Sequence, residues 1–364
     1  MRAAVMHEPN RPLTIEDVSV ESPKAGEVVV RIAASGVCRS DLHAWHGRTA
    51  FITPPVVLGH EGAGVVVEIG PEVREIRVGD HVLCSIIGPC DACFQCLHDE
   101  PALCEGAPMF TGKMLDGTTR LSKGGEAIHT LHYQGSYAEY AVVPERFVTK
   151  IRDDAPLEIV CGLACGVSTG LGAAIHRAKV VPGSSAVVIG SGGVGLSTMM
   201  GARFRGATTV VAVDKLARKA KKAVELGFAT HAIDASTTDV VKAVQDLTAG
   251  RGADYGFDAV GVPGTLEQTI AATRPGATVV VIGRAMGSVE LRVETSALLR
   301  HRTLTGTFGG SIHPRRHLPE FVELCLQGRL NLAGILDTRY SLDEAPRALD
   351  DLHHGRVTRG VIVL

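Results

Sequence analysis

Four cysteines in "CDACFQCLHDEPALC", Cys90, Cys93, Cys96 and Cys104, follow a C-x2-C-x2-C-x7-C pattern. Two intervening residues let a turn aim two sulfurs at one point, and four thiolates close a tetrahedral Zn2+ without leaving a vacancy, so a structural metal is expected. An iron–sulfur cluster is the competing reading of closely spaced thiolates. A second set is dispersed. "GVCRSDLHAWHG" holds Cys38, Arg39, Ser40, Asp41 and His43, "VVLGHEGAGVVVEIG" sets His60 beside Glu61, and "CGLACGVSTG" carries Cys161 and Cys165. Taken alone, Cys38 fits a metal ligand, a nucleophile or a core thiol. With His60 and Cys165 it would form a Cys2His site with one open position, the set that suits a catalytic zinc, but spacing alone does not unite residues so far apart.

A third group is compact. In "VVIGSGGVG", Gly190, Gly192 and Gly195 fit G-x-G-x-x-G between an apolar run and a helical stretch. Missing side chains there permit a tight turn, close approach of backbone to a pyrophosphate, and dense helix–strand packing, with the helix N-terminus facing the phosphates. Asp214 closes the run Thr209–Val213, about 20 residues on, where a carboxylate accepts from ribose hydroxyls and repels a 2′-phosphate. NAD is therefore expected over NADP, although Lys215 and Arg218 are cations able to accommodate that phosphate.

These groups need elements to position them. Runs such as Val28–Ala34 and Gly64–Ile69, separated by Gly, Pro and Asp, read as strands of a β-rich part. Past residue 170 the texture alternates. Strands at Ala186–Ile189, Thr209–Val213, His231–Ile233, Tyr255–Val260 and Thr278–Ile282 are separated by helices at Val194–Phe204, Leu216–Leu226, Val240–Leu247 and Leu266–Thr273. Buried runs alternating with helices predict a doubly wound parallel sheet. A helix at Leu318–Gln327 and a closing "GVIVL" strand fall outside that alternation.

The 364 residues are 45% hydrophobic, enough for two cores, and the formal net charge of −2 with no basic run gives nucleic acid or an anionic membrane little to attract. Small-molecule partners are expected. No apolar leader and no run near the roughly 20 residues of a membrane span is visible, which makes the cytoplasm the expected compartment. Nine cysteines there point to metal or catalysis rather than disulfides.

Over essentially its whole length the sequence resembles the zinc-dependent medium-chain alcohol dehydrogenases, on GVCRSDLH, GHEGAGVVVEIG followed by VGDHV, the four-cysteine lobe, CGVSTG, GSGGVG with its downstream Asp, and FGGS. DGTTRLS and VVPERFVTKI are similar to the long-chain, dimeric branch. The resemblance implies a GroES-like β-rich catalytic domain, 1–166 and 309–364, around an inserted Rossmann domain, 167–308, with the active site between them. It implies two zincs per chain: Cys38, His60 and Cys165 on the catalytic ion, with Glu61 behind it, and Cys90, Cys93, Cys96 and Cys104 on the structural one. It casts Ser40 and His43 as a proton relay and Asp41 as a residue that orients its neighbours.

For the cofactor, the resemblance implies contacts from Gly190, Gly192, Gly193, Val194, Gly195 and Asp214, pyrophosphate contacts from Arg39 and Arg359, a ribose contact from Lys219, and nicotinamide contacts from Thr169 and Val194. The implied reaction is reversible hydride transfer between an alcohol and NAD, in a homodimer with a homotetramer as alternative. Oxidation of a glutathione–formaldehyde adduct is a rival reading, disfavoured because "GAPMFTGKMLDG" lacks the arginine that holds the adduct. A non-catalytic relative is the other rival, opposed by the presence of Ser40 and His43. Ile86 and Trp45 imply an altered pocket shape.

Overall fold

The computed structural model describes residues 1–49, 52–106, 111–284 and 289–364. Part of the "GAPMFTGKMLDG" stretch, 107–110, lies outside them. The chain divides into two compact units, the first formed by Met1–Cys165, His313–Gly328 and Leu332–Leu364, the second by Gly166–Ile312 and Arg329–Asn331. No single described helix is long and apolar enough to cross a membrane.

The first unit is built on two sheets. At the centre of the larger, seven-stranded sheet runs Glu27–Gly36, whose EVVVRIAASG sequence suits a pleated surface covered on both faces. Gly62–Ile69 pairs with it antiparallel, Ser35 opposite Gly62, and Gly360–Val363 pairs along its end, Val361 opposite Gly36. This register brings three distant pieces of sequence to one sheet corner. Cys38 lies just past the end of one strand, His60 and Glu61 just before the start of the second, and Arg359 just before the third. Two apolar clusters support the arrangement, one around Val28, Val30, Val82 and Phe147, the other around Met6, Leu58, Tyr137 and Ile362.

In the second unit the strands β1 (Ser185–Ile189), β2 (Thr209–Asp214), β3 (His231–Asp234), β4 (Ala253–Asp258), β5 (Thr273–Val281) and β6 (Thr303–Gly306) form one sheet in the order β3-β2-β1-β4-β5-β6. All five pairings are parallel. Helices α1 (Gly193–Phe204), α2 (Ala217–Glu225), α3 (Val240–Leu247) and α4 (Thr265–Ala271) make the crossovers. The order reverses between β1 and β4, the switch point at which doubly wound sheets bind ligands beyond the strand ends. Val187, Val211, Val213, Val240 and Val244 are fully buried in its core.

Two elements depart from the sequence reading by four residues or more. β5 starts at Thr273, where the expected helix Leu266–Thr273 ended, five residues before the expected strand start at Thr278. Ala253 pairs with Thr273 and Tyr255 with Thr278, so the intervening residues form an irregularity in the strand, pinned by Arg274 Nε donating to Asp254 at 2.6 Å. The helix Pro314–Leu326 begins four residues before Leu318. Its first residue is proline, whose missing N–H costs nothing in a first turn.

Candidate zinc and dinucleotide sites

At the sheet corner of the first unit, ligand atoms of Cys38, His60, Glu61 and Cys165 all lie within 4.8 Å of one another, and all four residues are buried. Cys38 caps the helix Arg39–Trp45 in extended conformation, and Asp41, in its first turn, accepts from the Cys38 N–H at 2.9 Å. An acidic group there also complements the helix dipole. Cys165 arrives at the end of the 3-10 turn Cys161–Ala164, whose Ala164 carbonyl accepts from Ile86 N at 3.3 Å. Ile86 is thereby placed beside the cluster.

His60 is fully buried. Its Nδ1 donates to Asp41 at 3.0 Å, which leaves Nε2 as the ligating atom, and Nε2 has no hydrogen-bond partner. A buried imidazole nitrogen without a partner is costly, and a metal ion satisfies it. Burial lowers the basicity of His60, but the Asp41 charge and hydrogen bond override this and raise it well above the usual value. The Cys38 thiol is held well below its ordinary value, first by its hydrogen bond with Cys165 and further by Arg359, while Cys165 is correspondingly raised. Glu61 and Arg359 form a buried ion pair, each side chain at most 4% exposed. With both cysteines ionised, Cys38, Cys165 and Glu61 carry three negative charges against one on Arg359, an excess that favours a divalent cation. The donor set therefore fits Zn2+ with one open position.

Gly36 is required by this packing, since a Cβ there would lie 2.1 Å from a Glu61 carboxylate oxygen. Ser40 stands at the rim, its Oγ 4.0 Å from the Cys38 sulfur. Three residues along the same helix, His43 falls on the same face and is partly exposed. Trp45 donates from its indole to the Arg11 carbonyl at 2.6 Å.

Cys90, Cys93, Cys96 and Cys104 form a second cluster with sulfurs inside 4.8 Å. Backbone N–H groups of Cys90 and Cys93 donate to the Cys104 and Cys90 sulfurs, both at 3.3 Å. Bonds of this kind pull the Cys93 thiol down to about 6. Cys84, Cys161 and Cys325 belong to neither cluster. Burial pushes the Cys84 thiol up to about 12 and raises the other two, which disfavours their thiolate forms.

In the second unit, Gly190 follows β1 with φ +97°, and a Cβ on Gly195 would lie 1.7 Å from the Gly190 carbonyl oxygen. Gly192, by contrast, caps α1 in extended conformation, and a Cβ there would meet nothing within 4 Å. Two glycines thus serve backbone packing and the third leaves open space before the helix N-terminus, where Gly193, Val194 and Gly195 form the first turn. Asp214 at the end of β2 accepts from Ser191 N and Leu216 N, both at 2.9 Å, and so is fixed beside the glycine turn. Gly170 has no side chain where a Cβ would come within 2.4 Å of the Val194 carbonyl, so the helix Gly166–Gly172 packs closely on α1 and brings Thr169 near Val194. Lys219 lies on α2, half-buried. The cradle fits a dinucleotide.

The structure places Arg39 exposed, but Arg359, expected at the pyrophosphate, has its guanidinium buried against Glu61. Arg120 is likewise committed, 2% exposed and paired with Glu27. Sequence reasoning missed two residues near the zinc cluster. The His132 ring lies 5.0 Å from the His60 ring on a left-handed residue, φ 52°, and Tyr137 donates from its hydroxyl to Asp41. Neither belongs to a motif with recognisable spacing.

Comparison with known proteins gives the class. The alcohol dehydrogenase GroES-like domain matches residues 24–153, and the zinc-binding dehydrogenase domain matches 193–327. Among curated relatives, an NDMA-dependent alcohol dehydrogenase of Amycolatopsis methanolica is 37% identical over 372 residues, covering 100% of this chain and 98% of that protein. An S-(hydroxymethyl)glutathione dehydrogenase of Paracoccus denitrificans is 36% identical over 374 residues, covering 100% and 99%. The crystal structure of benzyl alcohol dehydrogenase from Acinetobacter calcoaceticus superimposes with a TM-score of 0.94 at 33% identity, covering 100% of this chain and 99% of that one. The chain belongs to the zinc-dependent medium-chain alcohol dehydrogenase family. It is an oxidoreductase of alcohols that uses zinc and a nicotinamide cofactor.

Proposed function

We propose that the protein reversibly oxidises an alcohol to an aldehyde or ketone with NAD rather than NADP, holding two zincs per chain, as a cytoplasmic homodimer or homotetramer acting on small molecules. The observation that carries this reading is the buried Cys38, His60, Glu61 and Cys165 cluster with the partnerless His60 Nε2. Cys38, His60 and Cys165 would hold the catalytic ion and the four lobe cysteines the structural one. When bound, the metal supplies a Lewis acid that polarises the substrate oxygen, and the nicotinamide supplies the hydride acceptor.

The chain's own groups do the rest. Ser40 at the rim accepts the alcohol proton, and His43, on the same face of the helix and partly exposed, passes it to solvent. Asp41 fixes His60 in the tautomer that presents Nε2. Gly192 leaves room for the pyrophosphate, Asp214 takes the ribose hydroxyls, and Arg39 is free to reach a phosphate. Arg359, buried against Glu61, adds a positive charge beside the zinc site.

The substrate reading favours a simple alcohol over a glutathione adduct, since Arg120 is tied to Glu27. The assay is NADH formation across primary, secondary, aromatic and terpenoid alcohols, run in parallel with an artificial hydride acceptor and with S-hydroxymethylglutathione. Reduction by the adduct alone would overturn the preference. Turnover only with the artificial acceptor would instead identify a tightly held cofactor.

A further inference from the structure

Tyr137 is fully buried, with its ring in the space left by Gly59, where a Cβ would lie 2.5 Å from the Tyr137 Cδ1. Its hydroxyl donates to Asp41 Oδ2 at 3.0 Å, and the same oxygen accepts from Cys38 N at 2.9 Å. Asp41 Oδ1 accepts from Gly59 N and from His60 Nδ1, both at 3.0 Å. A carboxylate offers about four lone-pair sites, and here all are filled at a residue with no solvent exposure. Three donors belong to the segments that carry Cys38 and His60. The phenol is the only one that comes from elsewhere in the chain.

That fourth donor bears on charge more than on shape. The backbone donors and His60 already fix the carboxylate, while the phenol withdraws part of its negative charge. A carboxylate behind a ligating imidazole raises the ligand's basicity by drawing on its ring N–H. Whatever charge Asp41 gives to Tyr137 is not given to His60. Burial, reinforced by the charges of Asp41, Cys38 and Glu61, raises the phenol well above its usual pKa, so it remains a donor.

We propose that Tyr137 is a positioning residue that moderates, through Asp41, how strongly His60 donates to the metal, keeping the ion more electrophilic than an Asp41–His60 pair alone would. The proposal rests on the reading of Cys38, His60 and Cys165 as the catalytic zinc site. Tyr137→Phe is the test, because it removes one oxygen and keeps the ring in place. In the holoenzyme, two quantities are read: zinc release into excess chelator, and the visible absorption of the protein with Co2+ at the catalytic site.

With the phenol gone, His60 becomes the stronger donor. The expected result is release about threefold slower with a shifted cobalt band. Tyr137→Phe protein that releases zinc at the wild-type rate or faster would overturn the proposal, since loss of packing alone loosens the ion. Asp41→Asn calibrates the assay in the opposite direction, with release about 10- to 100-fold faster. A Cys38→Ser chain that kept its full zinc content would defeat the underlying zinc-site reading instead.

Discussion

Replacing Arg359 by leucine distinguishes a buried counter-ion from a solvent-facing phosphate clamp. Its guanidinium pairs with Glu61, and the two side chains are 4% and 0% exposed. Removing one member of a buried pair strands the other's charge and costs about 3–5 kcal/mol. Zinc at the adjacent ligands offsets part of that penalty, which places Arg359→Leu near 3 kcal/mol, a large share of an ordinary domain's stability of about 5–15 kcal/mol. Glu61→Gln in the same chain removes the stranded charge, so the double variant should recover roughly 2 kcal/mol, a coupling typical of contacting groups. Urea unfolding of the four zinc-loaded proteins measures the cycle. A loss below about 1 kcal/mol in the single variant, or no recovery in the double, would refute the buried-pair reasoning and return Arg359 to the pyrophosphate.

Cys38→Ser and His60→Ala should abolish turnover and halve the zinc content while leaving equilibrium NAD(H) binding largely intact, read by elemental analysis and fluorescence titration. Gly195→Ala places a methyl 1.7 Å from the Gly190 carbonyl oxygen, so it should destabilise the second unit by about 1–3 kcal/mol and abolish NAD(H) binding; unchanged binding would show that the turn is slacker than described. Metal uptake at the catalytic cluster requires His60, raised well above its usual value, to lose its proton, so apparent zinc affinity should fall as pH is lowered; a flat profile in a chelator competition assay would contradict this. Glu16 opposes its burial with bonds to Lys123, Thr14 and His7, which bring it from 4.5 down to about 2. A depressed carboxylate stabilises the fold fully above its unfolded value, and that stability is lost as pH falls toward about 2. Glu16→Gln should therefore lose roughly 1 kcal/mol at pH 6 and nothing near pH 2, as read from urea midpoints.

Local features were the most legible in the sequence. The cysteine lobe lies within a short stretch, so its spacing points to a metal, and the glycine turn is read together with the apolar run before it, the helical stretch after it and Asp214 downstream. The strands of the second unit announce themselves as apolar runs because parallel strands are buried on both faces. The start of β5 was hidden because the residues between the expected helix Leu266–Thr273 and strand Thr278–Ile282 include Pro275 and Gly276, which disfavour a strand, while the ion pair of Arg274 with Asp254 is invisible until β4 and β5 pair. Within the buried Cys38, His60, Glu61 and Cys165 cluster, antiparallel register, Ser35 on Gly62, brings Cys38 to His60 and Glu61, while Cys165 joins from the separate 3-10 turn Cys161–Ala164, so the sequence reached the cluster only through family resemblance. Asp41 was expected to orient its neighbours, but its hold on His60, Gly59 and Tyr137 depends on tertiary contacts. The Glu61–Arg359 pair spans 298 positions, beyond any spacing rule.

The proposed function requires hydride transfer from an alcohol to a nicotinamide beside Cys38, His60 and Cys165. Incubating the zinc-loaded protein with a C1-deuterated primary alcohol and NAD, then locating the label by NMR, tests it most directly. Deuterium is expected at C4 of the reduced nicotinamide, on one face only, with no transfer in the Cys38→Ser chain. Label released to solvent, or transfer undiminished without Cys38, would contradict it.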